Sequence, residues 1–513
     1  MQTKRTFAVL LAASLSTVAA QGQDLYPSRP ELNQARTAGA AQPPSNSVSH
    51  MAVRGKDLWI GTSKGAAVSS DGGRTWQSFR SVAEFARPGI FALAVRQDTV
   101  WCATGFTQEL QDQDVQTGSG FTFSRNYGAS WTQRPQPLDA QADTVVQYGI
   151  NAVKFLPIVV DEQNVTFDVS LASGTVWMAG WSSGIRKSTD NGQTWQRIVL
   201  PSEAMSSISP ADTLTGYKID PRLDNNFLGF AVFAQSDSVI WAGTAGGINK
   251  STDGGSSWTK FTTSNQASPI LGDWIITITA QQFGATTRIW TTNWPAEGAN
   301  QHYGVSFSDD GGMTWQNVLY GIKAYDFAFR DSVAYVATVD GLYRTSDGGN
   351  SWIRSGSVVD YASGARLTTS VFYAVGVIGD TVYAGGPDGV VRTTDDGTSL
   401  FGSSWKIIRT AVPLSSASAT YAYPNPFSPR TENTRIRYRT PASPAGVTVE
   451  IFDFGMERVR TVIRDASRAA SSEYDEIWDG LTDAGTAVAN GVYFYRVMMA
   501  DEATVWGKIL VLR

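Results

Sequence analysis

One short phrase recurs along this chain and limits what it can fold into. It reads Ser69-Ser70-Asp71-Gly72-Gly73-Arg74-Thr75-Trp76 at its first appearance. It returns around Asp190 and Trp195, Asp253 and Trp258, Asp310 and Trp315, and Asp347 and Trp352. A further copy has Asn126 in place of the aspartate and ends at Trp131. The last, around Asp395, is degenerate, and its Trp405 arrives late. The shared pattern is [Ser/Thr]-x-Asp-x-Gly-x-[Thr/Ser]-Trp. Asp or Asn can accept hydrogen bonds from the N–H groups of its own turn, and Gly supplies positive φ without a steric cost. The hydroxyls tie down the same loop, and Trp opens the next strand with a large apolar plate. Each phrase is therefore expected to be a self-closing hairpin tip.

A matching strand precedes each tip, with an aromatic in its second slot and small residues after it. Examples are Leu58-Trp59-Ile60-Gly61, Val176-Trp177-Met178-Ala179, Ile240-Trp241-Ala242-Gly243 and Val382-Tyr383-Ala384-Gly385. An apolar run such as Ile90–Val95 or Trp274–Ile278 lies before each of these. Short strands at regular spacing predict an all-β fold, and four per unit in seven units predict a seven-bladed β-propeller. The glycine count of 49, the 17 tryptophans and a charged fraction of only 17% suit such a chain. The predicted organisation is a signal peptide at 1–20, a disordered lead at 21–45, the propeller at 46–413, a linker at 414–420 and a second β domain at 421–513. A blade cannot bury both faces alone, so the units must close into a ring. Face packing is one possible means of closure and a shared sheet another.

The recurring phrase resembles the Asp-box, or BNR repeat, of sialidases, sortilin-type receptors, xyloglucanases and photosystem II assembly-factor propellers. That resemblance implies that each tip joins the third and fourth strands of a blade, on the rim away from the ligand face. It makes Asp71, Trp76, Asn126, Trp131, Asp190, Trp195, Asp253, Trp258, Asp310, Trp315, Asp347, Trp352, Asp395 and Trp405 structural residues.

Beyond the linker the composition changes. Tyr423-Pro424-Asn425-Pro426-Phe427 opens the second domain; Ile436–Arg439 and Val447–Asp453 alternate as strands, and Trp506–Arg513 ends the chain. This stretch resembles the immunoglobulin-like domain of flagellar hook-capping proteins and the C-terminal sorting domain of the type IX secretion system. The resemblance implies an Ig-like β-sandwich over 421–513 that partners the type IX machinery for export to the outer cell surface or medium. Lys4 and Arg5 followed by the apolar run Phe7–Leu15 and the small residues Val18-Ala19-Ala20 read as a secretory signal peptide. No other apolar run is long enough to span a bilayer as a helix.

The net charge is −5 and no basic block stands out, which excludes an ordinary nucleic-acid binder. Cys102 is the only cysteine and sits in the strand sequence Trp101-Cys102-Ala103, so it is expected to be a packed core thiol. His50 and His302 are the only histidines and lie far apart, and the repeat lacks the spacing of a calcium loop. No metal site, cofactor or catalytic residue is assigned.

Insertions map to loops, and long ones fall at Thr107–Gly118, Pro201–Leu228, Pro295–Tyr303 and Ser355–Thr369. They are expected on the face opposite the tips, as are Trp181, Trp274, Trp294, Tyr303, Tyr325, Asp273 and Asp326. Aromatic rings there could stack on sugar faces or anchor a protein partner. Each is also explicable as blade packing. A sialidase would need three arginines around a carboxylate. Arg87-Pro88-Gly89-Ile90 has the wrong order and place for that family's Arg-Ile-Pro motif, and Arg222 and Arg366 complete no triad. A xyloglucanase-like hydrolase would need two spaced carboxylates, and Asp220, Asp224, Asp273 and Asp326 carry no mark of a pair. The expected function is thus a non-catalytic binding scaffold for a glycan or protein, with a glycoside hydrolase as the alternative.

Overall fold

The computed structural model describes residues 42–512 apart from short stretches at 86, 88, 111–112, 297–299, 362–364, 368, 398–400, 403, 411–413, 415–418, 424, 428, 430–432 and 500–503. The signal segment and most of the lead, 1–41, lie outside the described residues. The chain separates into two compact units, Met1–Val358 with Thr368–Thr410, and Val359–Leu367 with Ala411–Arg513.

The first unit is a seven-bladed β-propeller. Blade 1 is the antiparallel sheet Val48–Arg54, Asp57–Thr62, Gly65–Ser69 and Gln77–Ser78. The inner strands of blades 2 to 7 are Gly89–Arg96, Thr166–Leu171, Gly229–Ala234, Trp274–Phe283, Ala324–Arg330 and Ala374–Ile378. Four strands of each blade run in sequence order outwards from the inner one, and in blade 4 Ser207–Ile208, from earlier in the chain, adds a fifth at the outer edge. Consecutive inner strands adjoin, and that of blade 7 adjoins that of blade 1.

The second strands are buried along almost their whole length because sheets press on both faces. This accounts for the aromatic-then-small pattern. A Cβ on Gly61 would stand 2.6 Å from Cγ2 of Ile90 in blade 2, so the small slot is where the next inner strand crosses. The indole beside it fills the wider part of the wedge.

The tips close as their residue types predict. Asp71 Oδ1 accepts from the N–H groups of Arg74 and Thr75, both at 2.9 Å, and Thr75 Oγ1 donates to Oδ2 at 2.6 Å. Ser69 Oγ accepts from Gly73 N at 2.8 Å. The same closure recurs at Asp190, Asp253, Asp310 and Asp347. In the Asn126 copy the amide donates to Ser130 Oγ at 2.8 Å instead. The Thr75, Thr194 and Ser351 hydroxyls help hold Asp71, Asp190 and Asp347 down to about 2. The tip indoles sit between blades. Trp131, Trp195 and Trp352 meet Trp59, Trp101 and Trp290 of the preceding blade edge-on, at 6.3, 6.4 and 6.2 Å.

A second inter-blade device was not legible in the sequence. A cation on one blade donates to a glycine carbonyl in the next blade's tip. Lys187 reaches Gly254 at 3.2 Å, Lys250 reaches Gly311 at 2.8 Å, Arg288 reaches Gly348 at 2.8 Å, and Arg392 of blade 7 reaches Gly72 of blade 1 at 2.7 Å. The seventh tip departs from the pattern. Asp395 accepts from Gly397 N of its own turn at 3.0 Å, and also from Arg344 Nη1 at 2.5 Å and Tyr335 Oη at 2.7 Å, both in blade 6. The buried carboxylate takes a cation from its neighbour, and residues 398–400 and 403 of this tip lie outside the described residues.

Ring closure is by face packing, since among the described residues no sheet mixes first and last strands. Val48, Leu58, Ile60 and Trp76 of blade 1 pack on Tyr383 and Val390 of blade 7. Asn46 clips the seam: its Oδ1 accepts from Thr410 N at 2.6 Å and its carbonyl from Gly389 N at 2.6 Å. Pro43 O accepts from Thr410 Oγ1 at 2.5 Å, so the described end of the lead, expected to be disordered, is ordered by the seam.

Two insertions differ from expectation. Thr107–Gly118 is not a free loop, because it prolongs two strands, Thr99–Leu110 and Gln113–Ser124, into a long hairpin. Part of Pro201–Leu228 joins a rim sheet, in which Lys218–Ile219 pairs with Asn151–Phe155, itself paired with Val145–Tyr148. Tyr148 Oη donates to Ser256 O in the fourth tip at 2.7 Å, which places this sheet beside the tips and not on the opposite face.

The second unit contains a β-sandwich. One sheet holds Tyr421–Tyr423, Thr434–Arg439 and Glu473–Trp478; the other holds Arg458–Arg468, Ala445–Phe452, Gly491–Met499 and Val505–Val511. Their inward positions, among them Ile436, Tyr438, Trp478, Val447, Val449, Ile451, Tyr495, Val497 and Ile509, form one core.

Candidate functional site

Antiparallel order puts the starts of the inner strands and the turns between second and third strands at one end of the wheel, opposite the tips. The five aromatic residues singled out by sequence meet there. Trp181 follows the second strand of blade 3, and Trp274 opens the inner strand of blade 5. Trp294 ends the second strand of that blade, and Tyr325 lies near the start of the inner strand of blade 6. With Phe230, Leu228, Ala245 and Tyr373 they form one cluster, against which Tyr303 packs. Trp181 lies 5.9 Å from Trp274, Trp294 lies 5.7 Å from Tyr325, and Tyr325 lies 5.4 Å from Tyr373.

Their exposure decides what they can do. Trp181, Trp274, Trp294 and Tyr325 are 7%, 6%, 2% and 8% exposed, so they pack on one another and present little open stacking surface. Trp294 also spends its N–H on Ala324 O at 3.0 Å. What remains accessible is a smaller patch: half-buried Tyr303, half-buried Lys323 and Tyr320, which is 61% exposed and lies 4.4 Å from the His302 ring. Lys323, His302 and Tyr320 carry no motif, and sequence reasoning did not nominate them for the site.

The acidic candidates have internal partners. Asp273 accepts from Thr263 N at 2.8 Å, Thr263 Oγ1 at 3.0 Å and Gln301 Nε2 at 2.7 Å, which pins the Pro295–Tyr303 insertion. Residues 297–299 of that insertion lie outside the described residues. Asp220 is gripped by both Lys218 and Arg222. Asp224 caps the 3-10 turn Asn225–Phe227, and burial pushes its carboxyl up. Arg87 lies over Phe106 at 4.4 Å.

Asp326 belongs to a different arrangement, together with Asp168. Most inner strands carry a bulge near their start, and the residue just beyond it faces the next blade. Neighbouring inner strands do not pair as a sheet, so side chains bridge them. Asp168 Oδ2 accepts from Val232 N at 2.9 Å, and Asp326 Oδ2 from Val375 N at 3.0 Å. Thr277 donates to Tyr325 O at 2.6 Å, and Ser49 donates to Ile90 O at 2.9 Å. Burial pushes both carboxyls up to about 7 against the pull of two backbone N–H groups each, and the Asp326 charge raises Asp168 further. Both side chains keep some solvent contact, but their distance from bulk water governs the electrostatics. Burial likewise pushes His50, on the inner strand of blade 1, down to about 4.

Cys102 is fully buried and its thiol is raised by burial. Among the described residues no cluster of His, Cys, Asp and Glu could hold a metal, and no helix is long and apolar enough to cross a membrane.

No family model and no curated protein matches the chain. Solved β-propeller structures are similar in fold. The GH74 enzyme of Niastella koreensis is 14% identical, with 92% of this chain and 74% of that one covered and a TM-score of 0.49. PorZ, a surface component of the type IX secretion system of Porphyromonas gingivalis, is 15% identical at a TM-score of 0.36; 91% of this chain is covered, over just under two thirds of PorZ, 66%. YCF48 bound to a D1 peptide is 15% identical, with 72% and 99% covered and a TM-score of 0.41.

Proposed function

We propose that this chain is a secreted or cell-surface binding scaffold. Its propeller takes a glycan or protein ligand on the face opposite the tips, without turnover. The signal peptide at 1–20 starts export, and the sandwich at 421–513 is the address read by the type IX secretion machinery. The propeller then spans 46–413, and 414–420 is the link between them.

One observation carries the non-catalytic reading: the acidic side chains expected on that face already have partners within the protein. Asp220 is held by two cations, Asp273 by three donors and Asp326 by two backbone N–H groups. A glycosidase needs one carboxyl free to give a proton and another free to act on water or sugar. The alternative, a hydrolase of sialidase or xyloglucanase type, draws on Asp168 and Asp326, since two carboxyls titrating near neutrality are a common mark of acid–base sites. Their depth and their bridging bonds favour a structural role.

The test is a glycan array together with a fluorogenic glycosidase screen on the mature protein. Binding without turnover is expected. Turnover that Asp326→Asn or Asp168→Asn abolishes would overturn the reading. For export, a chain lacking 421–513 should accumulate in the periplasm, and unchanged export would refute the assignment.

A further inference from the structure

Lys323 immediately precedes the inner strand of blade 6. Its ammonium stands 3.9 Å from the ring centre of Trp294, 5.7 Å from Tyr303 and 6.0 Å from Tyr325. Half-buried Lys187 and Lys250 and buried Lys260 of the propeller have oxygen acceptors. Lys187 and Lys250 bond tip carbonyls, and Lys260 bonds the carbonyls of Ser202 and Glu203 at 2.6 and 2.9 Å. Among the described residues Lys323 has neither a carboxylate partner nor a side-chain hydrogen bond. Burial lowers its pKa, and no acidic group among the described residues raises it again. Ring faces offset part of the lost hydration, but they do not replace an oxygen acceptor for its three N–H groups. A cation left so, at the accessible edge of an aromatic cluster, is poised for an anion.

We propose that Lys323 is the anion-recognising group of the face opposite the tips, and that the ligand is a saccharide carrying carboxylate or sulfate. This rests on the binding reading above and narrows it. The accessible groups match one or two sugar rings: Tyr320 and Tyr303 offer ring faces for stacking, and Lys323 offers the charge. A protein partner generally needs about 800 Å² on each side, centred on large exposed anchors. Here most of the large rings are already packed on one another.

The experiment is calorimetric titration of the full mature protein with four probes: an oligouronate, a sulfated oligosaccharide, a neutral glucan oligomer and a polyglutamate peptide. Wild type should bind at least one anionic saccharide ten-fold or more tighter than the neutral one, with affinity falling as salt rises. Lys323→Met keeps the apolar stem against the rings. It should lose ten-fold or more for the anionic saccharide and so erase the preference over the neutral one, while Lys323→Arg restores affinity. Matching melting curves for the three proteins would show that folding is not the cause. Equal binding of neutral and anionic sugars, or no effect of Lys323→Met, overturns the inference and leaves the binding reading standing. Peptide binding tighter than any saccharide replaces the ligand class and overturns it too. Absence of saccharide binding removes the inference, and absence of any ligand on a broad array removes the binding reading with it.

Discussion

The pair Asp168 and Asp326 should make the wheel lose stability as pH rises toward 8. Each carboxyl is pushed from 3.8 up to about 7. Below pH 3.8 both folded and unfolded chains hold these protons, and the stability they confer is fully present. Between 3.8 and 7 the unfolded chain gives its protons up and the folded chain keeps them, so stability falls with pH. Above 7 both forms are charged and the loss is complete. A shift of about three units at 1.36 kcal/mol each is at most ~4 kcal/mol per group. The two are coupled and keep some solvent contact, so ~4 kcal/mol for the pair is the better figure. His50 works in the other sense. It is pushed down to about 4 from 6.5, so stability is gained as pH rises from 4 to 6.5, by ~3 kcal/mol at most. The difference between wild type and an Asp168→Asn/Asp326→Asn variant removes that background. Asn keeps the shape and one acceptor, so its lost hydrogen bonds enter as an offset independent of pH. Urea unfolding midpoints at pH 5, 6, 7 and 8 in constant salt should show wild type losing about 2.5 kcal/mol relative to the variant across that range, the rest having gone below pH 5. Parallel profiles would refute the view that these carboxyls are held neutral.

Two substitutions probe the tips and the seventh-blade exception. Gly312→Ala should lower stability by roughly 2–4 kcal/mol, measured by denaturant melts, because φ there is +98° and the new Cβ would stand 2.9 Å from Phe261 and 3.2 Å from Trp241. Arg344→Met should cost about 3–5 kcal/mol by leaving Asp395, which is fully buried, without its cation; Arg344→Met with Asp395→Asn should recover much of that, and equal losses in the single and double variants would argue against the pairing.

The blade count and the chemistry of the tips were legible because both are local: Asp71 and Thr75 lie four residues apart and close one turn. The wedge was legible too, since Gly61 beside Trp59 states how close the next strand must come. The inter-blade cations were not, because Lys250 and Gly311 belong to different repeats and any surface lysine looks the same in one dimension. Asp168 passed unnoticed for a related reason: a single carboxylate in Phe167-Asp168-Val169 has no local signature, and its partner N–H is on the next blade. Aromatic residues at the face were found by their place beside turns. Their burial was not foreseen, because several blades contribute to the cluster and sequence order does not say which rings cover which. The rim sheet was missed because its pairing with Lys218–Ile219 is only two residues long.

Among the described residues the seam between blades 7 and 1 has no interleaved strand. It repeats the fit found at other junctions, down to the cation on a tip carbonyl, and adds the small clasp at Asn46. The wheel therefore needs no particular place for the chain to start. Joining the region of Thr410 to that of Asn46 through a short bridge, and opening the backbone between two other blades, would yield a circular permutant with the same contacts.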